Sequence, residues 1–140
     1  MKSDKVDIFI LNKSSLFPSA LVPYIRERLL VIDDESWQRL STMQFRNPMI
    51  ALLLSIGCGT YGADRFYTGQ YLLGIFKLIT TVTFLAIVII HTVWSIENWV
   101  YIILMMSIMS IVIFWYFIDI FLITKTTKEL NYNKLLTILN

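Results

Sequence analysis

The sequence predicts an all-α integral membrane protein, and three observations carry that expectation. Hydrophobic residues make up 56% of the 140 residues and charged residues 16%, where soluble domains average roughly 25% charged. Two stretches, residues 70–96 and 99–124, are each long enough to cross a bilayer with some tilt. Lys77 and His91 interrupt the first and Asp119 the second. Ahead of them, an uncharged run over residues 48–63 ends on Gly62-Ala63-Asp64-Arg65-Phe66-Tyr67-Thr68-Gly69. A charged pair is expensive at membrane depth, so Asp64 and Arg65 mark an interface or a site.

Residues 1–46 read as a small helical leader. Val6, Phe9 and Ile10 have i, i+3, i+4 spacing, and residues 16–18 form a break. Pro23 fits the first turn of a second helix, where its missing N–H costs nothing, and Val22, Ile25 and Leu29 share a face of it. Asp33 or Asp34 caps a third helix carrying Trp37, Leu40 and Met43. Asp33-Asp34-Glu35 favours a helix start through capping and the macrodipole. No histidine lies nearby to complete a metal site. The leader holds seven Lys/Arg and six Asp/Glu. Its helices are expected to pack together, lie on the membrane surface or dock on a partner. Only residues 8–11 form an apolar run near the basic N-terminus, too short for a signal-peptide core, so this end is expected to be retained.

Residues 48–63 can start a helix at Pro48. They reach about 24 Å, short of a ~30 Å hydrocarbon core, so the segment is a marginal span or a partly inserted helix. Ser55, Gly59 and Ala63 repeat every four residues, a small-xxx-small stripe that lets a second helix approach. Gly69 and Gly74 are further helix-packing candidates. Cys58, the single cysteine, forms no intrachain disulfide and reads as a small packing residue.

The two longer stretches are joined by Glu97-Asn98 and are expected to form an antiparallel hairpin. Trp94, Trp99 and Tyr101 gather at the turn end, and Trp115 and Tyr116 lie about 24 Å away along the helix, as aromatic belts at two interfaces do. Residues 91–98 contain no Lys or Arg, whereas Lys125, Lys128 and Lys134 follow the last stretch. The positive-inside rule puts that basic tail in the cytoplasm. A conflict follows. If residues 48–63 cross fully, the leader lies outside; if the leader is cytoplasmic, that helix is re-entrant or interfacial. Its shortness favours the cytoplasmic leader.

Antiparallel geometry brings Lys77 and Asp119 to nearly one level, ~4–5 Å apart along the axis and within reach of a lysine side chain. Arg65 lies just below. The expected cluster has Asp119 accepting from Arg65 or Lys77. Against it stands a plainer arrangement, in which Lys77 snorkels and Asp119 reaches headgroup water. Thr80, Thr81, Thr83, Ser107, Ser110 and His91 define no single face, so a proton or ion path is poorly supported. His91 is expected to face water or a hydrogen-bond partner. Nucleophilic triads, zinc spacings and phosphate-binding glycine loops are absent from the sequence. No enzyme activity, metal or cofactor is therefore expected. A net charge of +2 gives no reason to expect nucleic acid.

Residues 51–54, Gly62 to Tyr67, Gly69, Leu73-Gly74-Ile75, Lys77-Leu78, Trp115, Ile118-Asp119 and Phe121-Leu122-Ile123 resemble the TM-two domain family, small membrane proteins with an Asp-Arg-Phe motif between hydrophobic helices. Trp37-Gln38-Arg39-Leu40-Ser41 is similar to the leader of some bacterial members, which implies a bacterial inner membrane. The resemblance implies that Asp64, Arg65, Phe66 and Asp119 form a structural or functional core. It implies no reaction. About 30 residues intervene where short family members have a Gly-rich link, so family topology does not transfer directly. The expected regions are a leader (1–46), a membrane domain (47–124) and a basic tail (125–140). The expected role is a non-enzymatic interaction or scaffold protein that contacts lipid and assembles with itself or another membrane protein. A small channel or transport subunit is the alternative.

Overall fold

The structure, a computed structural model, describes residues 2–94 and 99–139. Among them every element is helical: α1 (Lys2–Lys13), α2 (Val22–Val31), α3 (Asp34–Thr42), α4 (Pro48–Cys58), α5 (Ala63–Thr68), α6 (Tyr71–Trp94) and α7 (Trp99–Leu139), with short 3₁₀ turns between some of them. The chain divides into two compact units. One combines Met1–Ile50 with Thr124–Asn140; the other is Ala51–Ile123.

In the first unit most of the leader's amphipathic spacing is used, although Met43 lies just past the end of α3 rather than on it. Val6, Ile25 and Leu29 are fully buried and Leu40 nearly so, with Phe9, Ile10 and Trp37 packed against them. Pro23 occupies the first turn of α2. Asp33 caps α3, accepting from the Ser36 amide at 3.4 Å. Hydrogen bonding from Ser36 holds the Asp33 carboxyl below the usual aspartate range. The cap's contribution is therefore present above that range and lost as pH falls through the lowered value. Arg26 donates to Asp7 at 2.8 Å, tying α2 to α1; both side chains are about half exposed, so the pair adds little.

Two parts of this core are invisible to the leader's periodicity. The break at residues 16–18 supplies Phe17, 1% exposed, whose ring meets Phe45 edge-on at 5.0 Å. The C-terminal part of α7 supplies Thr127, Asn131, Leu135 and Leu139, all buried and four residues apart. The polar member is fully used: Asn131 accepts from the Arg46 amide at 2.9 Å and donates to the carbonyls of Leu16 (2.9 Å) and Arg46 (2.7 Å). Lys134 donates to the Gln44 carbonyl and Arg28 to that of Leu139. The segment read as a basic tail is thus one wall of the leader's own core.

In the second unit, α6 and α7 are long and apolar enough to cross a membrane. The two helices touch at several points. Tyr101 donates to the Ile87 carbonyl at 3.2 Å and stacks on His91, Trp115 lies against Phe76 at 6.5 Å, and Asp119 pairs with Lys77. The expected turn at Glu97-Asn98 lies outside the described residues, as does the Trp94 side chain.

The first apolar segment departs from expectation. Its α-helix stops at Cys58 and tightens into a 3₁₀ turn, Gly59–Tyr61. Cys58 is exposed rather than packed. The Asp-Arg-Phe stretch is not a turn but the short helix α5, bracketed by Gly62 and Gly69, both at φ 79°. Those two left-handed glycines make the reversals, leaving a helix-compatible stretch between them. At its end the Gly69 amide donates to Phe66 and the Gln70 amide to Arg65, a Schellman closure.

The Asn131 clamp gives a direct test of the first unit. Asn131→Leu keeps the branched shape but strands an amide and two carbonyls, and should destabilise the unit by at least about 2 kcal/mol. Leu135→Ala should cost about 2–5 kcal/mol. Hydrogen exchange on the full chain in detergent should show faster exchange in α1–α3 for both variants and unchanged exchange in α6.

Candidate functional site

A reversal built on Gly62 sets the site. A Cβ at Gly62 would lie 2.6 Å from the Gly74 carbonyl oxygen, and one at Gly74 would lie 3.1 Å from the Phe66 ring. The absence of both lets α5 lie directly on the start of α6. Phe66 covers Gly74 and approaches Tyr71, with ring centroids 6.5 Å apart. This packing turns Asp64 and Arg65 inward, where Asp64 is fully buried and Arg65 is 8% exposed.

Four charges meet there. The Lys77 ammonium donates to both Asp64 oxygens, at 3.2 and 3.1 Å, and pairs with Asp119. The Arg65 guanidinium pairs with Asp119, lies 3.5 Å from Asp64 and donates to the Gln70 side-chain oxygen at 2.5 Å. Each carboxylate faces both cations and each cation faces both carboxylates. The Thr68 hydroxyl donates to the backbone carbonyls of Asp64 and Arg65, at 3.0 and 3.1 Å, holding the α5 backbone. Removing charges from water costs several kcal/mol per ion unless they are well paired and hydrogen-bonded. Here two cations and two anions close on themselves.

The same lysine does a second job. Lys77 also donates to the Gly59 carbonyl at 3.3 Å. The Thr81 hydroxyl donates to the Thr60 carbonyl at 2.6 Å and the Tyr116 hydroxyl to the Ile56 carbonyl at 2.7 Å. A helix end leaves carbonyls without intrahelical partners, and without water each costs several kcal/mol. Side chains of α6 and α7 answer one carbonyl of α4, at Ile56, and two of the 3₁₀ turn that follows it, and the lysine charge complements the negative pole of that helix.

The structure thus brings Asp64, Arg65, Lys77 and Asp119 together, with Phe66 packing beside them rather than joining the charges. Asp119 meets both cations, where the sequence offered either. The small-residue positions are divided: Ser55 lies on α4, Gly59 in the 3₁₀ turn and Ala63 on α5, so they do not form one helical stripe. Ser55 and Gly59 are buried within the chain, and a Cβ at Gly59 would meet the Tyr116 ring at 3.4 Å. Gly69 closes α5 and Gly74 admits Phe66. Three participants escaped the sequence reading: Gln70, Thr81 and Tyr116. Gln70, a polar residue opening an apolar stretch five positions after an arginine, carried a readable signal. Tyr116 resembled an interfacial aromatic, and only the early end of α4 explains its inward hydroxyl. Among the described residues no group of His, Cys, Asp or Glu could hold a metal.

A family model described as the TM2 domain matches residues 44–99. The matched segment holds Asp64, Arg65 and Lys77; Asp119 lies beyond it. No curated protein and no solved structure matches the chain. The TM2 match and the two apolar helices point to a membrane protein.

Asp119→Asn leaves two cations facing one carboxylate. It should cost about 3–5 kcal/mol, read as lowered thermal stability in detergent and lowered yield from membranes. Glu129→Gln, at an exposed pair, should stay within about 0.5 kcal/mol. Adding Lys77→Gln to Asp119→Asn should cost less than the two single losses summed. For the backbone, Gly62→Ala should abolish accumulation of folded protein. Gly57→Ala, where a Cβ meets nothing within 4 Å, should be neutral or slightly stabilising.

Proposed function

We propose, taking the TM2 domain match over residues 44–99 as premise, that this is a non-enzymatic interaction protein that holds a folded helical platform at the cytoplasmic face of the bacterial inner membrane. One observation carries the topology: the leader and the end of α7 belong to a single folded unit. Parts of one folded unit lie on one side of a bilayer. Two crossings, by α6 and α7, return the chain to the side it left, whereas a third crossing by α4 would separate the two parts. In this reading α4 therefore enters and leaves by the same face. Its 11 residues span about 16 Å, roughly half of a hydrocarbon core. The Tyr116, Thr81 and Lys77 bonds give its carbonyl end partners away from water. The positive-inside bias of Lys125, Lys128 and Lys134 supports the cytoplasmic side.

The closed charge cluster supports a structural role. A catalytic or conducting group needs an open valence toward substrate or water, and here each charge already faces two opposite charges. The channel alternative has one feature in its favour, a half-helix whose carbonyl end stops inside the membrane, as in transporters that coordinate cations there. In this chain the cation at that end is its own lysine. Interaction then falls to the platform and the outer faces of α6 and α7, because Ser55 and Gly59 are used internally.

Single cysteines at Ser3, Thr68 and Asn98, in a Cys58→Ser background, test the topology in intact cells with a membrane-impermeant thiol reagent. Labelling at Asn98 alone is expected. Labelling at Ser3 would put the leader outside and overturn the reading. Liposomes carrying the full chain should pass no more protons or ions than protein-free liposomes. Flux abolished by Asp119→Asn would establish the channel instead.

A further inference from the structure

The first unit carries a groove of its own, with charged residues on one wall, where α7 leaves its apolar stretch. One wall is residues 18–20; the other is Thr124, Lys125, Lys128 and Glu129 on α7. The volume is about 290 Å³, ample for a phosphodiester with ordered water. Lys125 and Lys128 are i, i+3 neighbours and therefore share a face of the helix. The Lys125–Glu129 pair is loose, at 3.9 Å with both side chains largely exposed, and pairs of that kind are worth little. Lys128 has no ion-pair partner among the described residues. The groove is therefore net positive. It is also placed by the chain itself: Ile123, the residue before Thr124, is the last apolar residue of the stretch that began at Trp99.

We infer that this groove binds the phosphate of an anionic phospholipid headgroup, with Lys125 and Lys128 as the cationic ligands and Thr124 and Ser19 as hydroxyl donors. The inference rests on α7 crossing the bilayer as far as Ile123, but not on which side the leader lies. A headgroup at that depth meets the two lysines directly. Zwitterionic lipid brings the same phosphate with a compensating cation and gains less. Glu129 tempers the site, because its carboxylate competes for Lys125.

The test is native mass spectrometry of the full chain in detergent, titrated with dioleoyl phosphatidylglycerol or dioleoyl phosphatidylcholine. Lipid retention is read there without reference to topology, so it fails or succeeds independently of the cysteine labelling. Phosphatidylglycerol should be retained in preference to phosphatidylcholine. Lys125→Gln with Lys128→Gln should weaken its apparent affinity by roughly 10- to 30-fold, at about 1 kcal/mol per lysine. Glu129→Gln should strengthen it by about 5-fold on the same scale, an opposite sign that misfolding does not imitate. Lys5→Gln, removing an exposed charge elsewhere in the unit, should change nothing. Equal weakening by Lys5→Gln would reduce the effect to net charge and overturn the site, as would full retention by the double variant. Protection by millimolar inorganic phosphate without lipid, together with displacement of the lipid, would assign the groove to free phosphate and overturn the lipid assignment.

Discussion

Four charges that must leave water together govern the second unit. An unpaired Asp64 or Lys77 in an apolar setting is costly enough to unfold a small protein, so every nearby choice serves the pairing. Gly62 and Gly74 bring α5 close enough for Asp64 and Arg65 to reach inward. Contact between α6 and α7 brings Lys77 and Asp119 together. Gln70 takes the guanidinium nitrogen that the carboxylates leave over. Residues from three helices and the link between α5 and α6 thereby become interdependent, although few large apolar side chains in this unit are buried.

The half-length helix α4 raises the same problem in neutral form. A full-length span hides its unpaired carbonyls among headgroups and water. A helix that stops early carries them into apolar surroundings, and the chain must bring donors to them. Tyr116, Thr81 and Lys77 are those donors, and Lys77 links the two tasks by serving a carbonyl and two carboxylates at once. That dual use explains why lysine suits the position better than arginine: a compact ammonium with three donors can point in several directions, while a planar guanidinium addresses one plane.

Much of this was legible in the sequence, for definite reasons. The leader helices follow from period-3.6 spacing, one proline and one capping aspartate, all local signals. The charge cluster follows from counting residues on either side of a turn, because ionisable groups in an apolar chain are few and must meet. The early end of α4 was hidden, since an uncharged run of mixed small and large residues looks alike whether it is one helix or two pieces. The buried face at the end of α7 was hidden for another reason. Its stripe has polar members, Thr127 and Asn131, and they read as solvent-facing until the backbone groups they satisfy are known. The volume needed at the break before α2, filled by Phe17, has no periodic signature at all.

The order in which the four charges appear along the chain has a consequence for biogenesis. Asp64, Arg65 and Lys77 emerge from the ribosome first and sum to one excess positive charge; Asp119 follows 42 positions later (119 less 77). Until α7 follows, the nascent first half carries an unneutralised cation near its apolar segments. Arrival of Asp119 then cancels the charge and lets the assembly close. The last helix thereby acts as a latch on the earlier ones, through the pairing of Asp119 with Arg65 and Lys77.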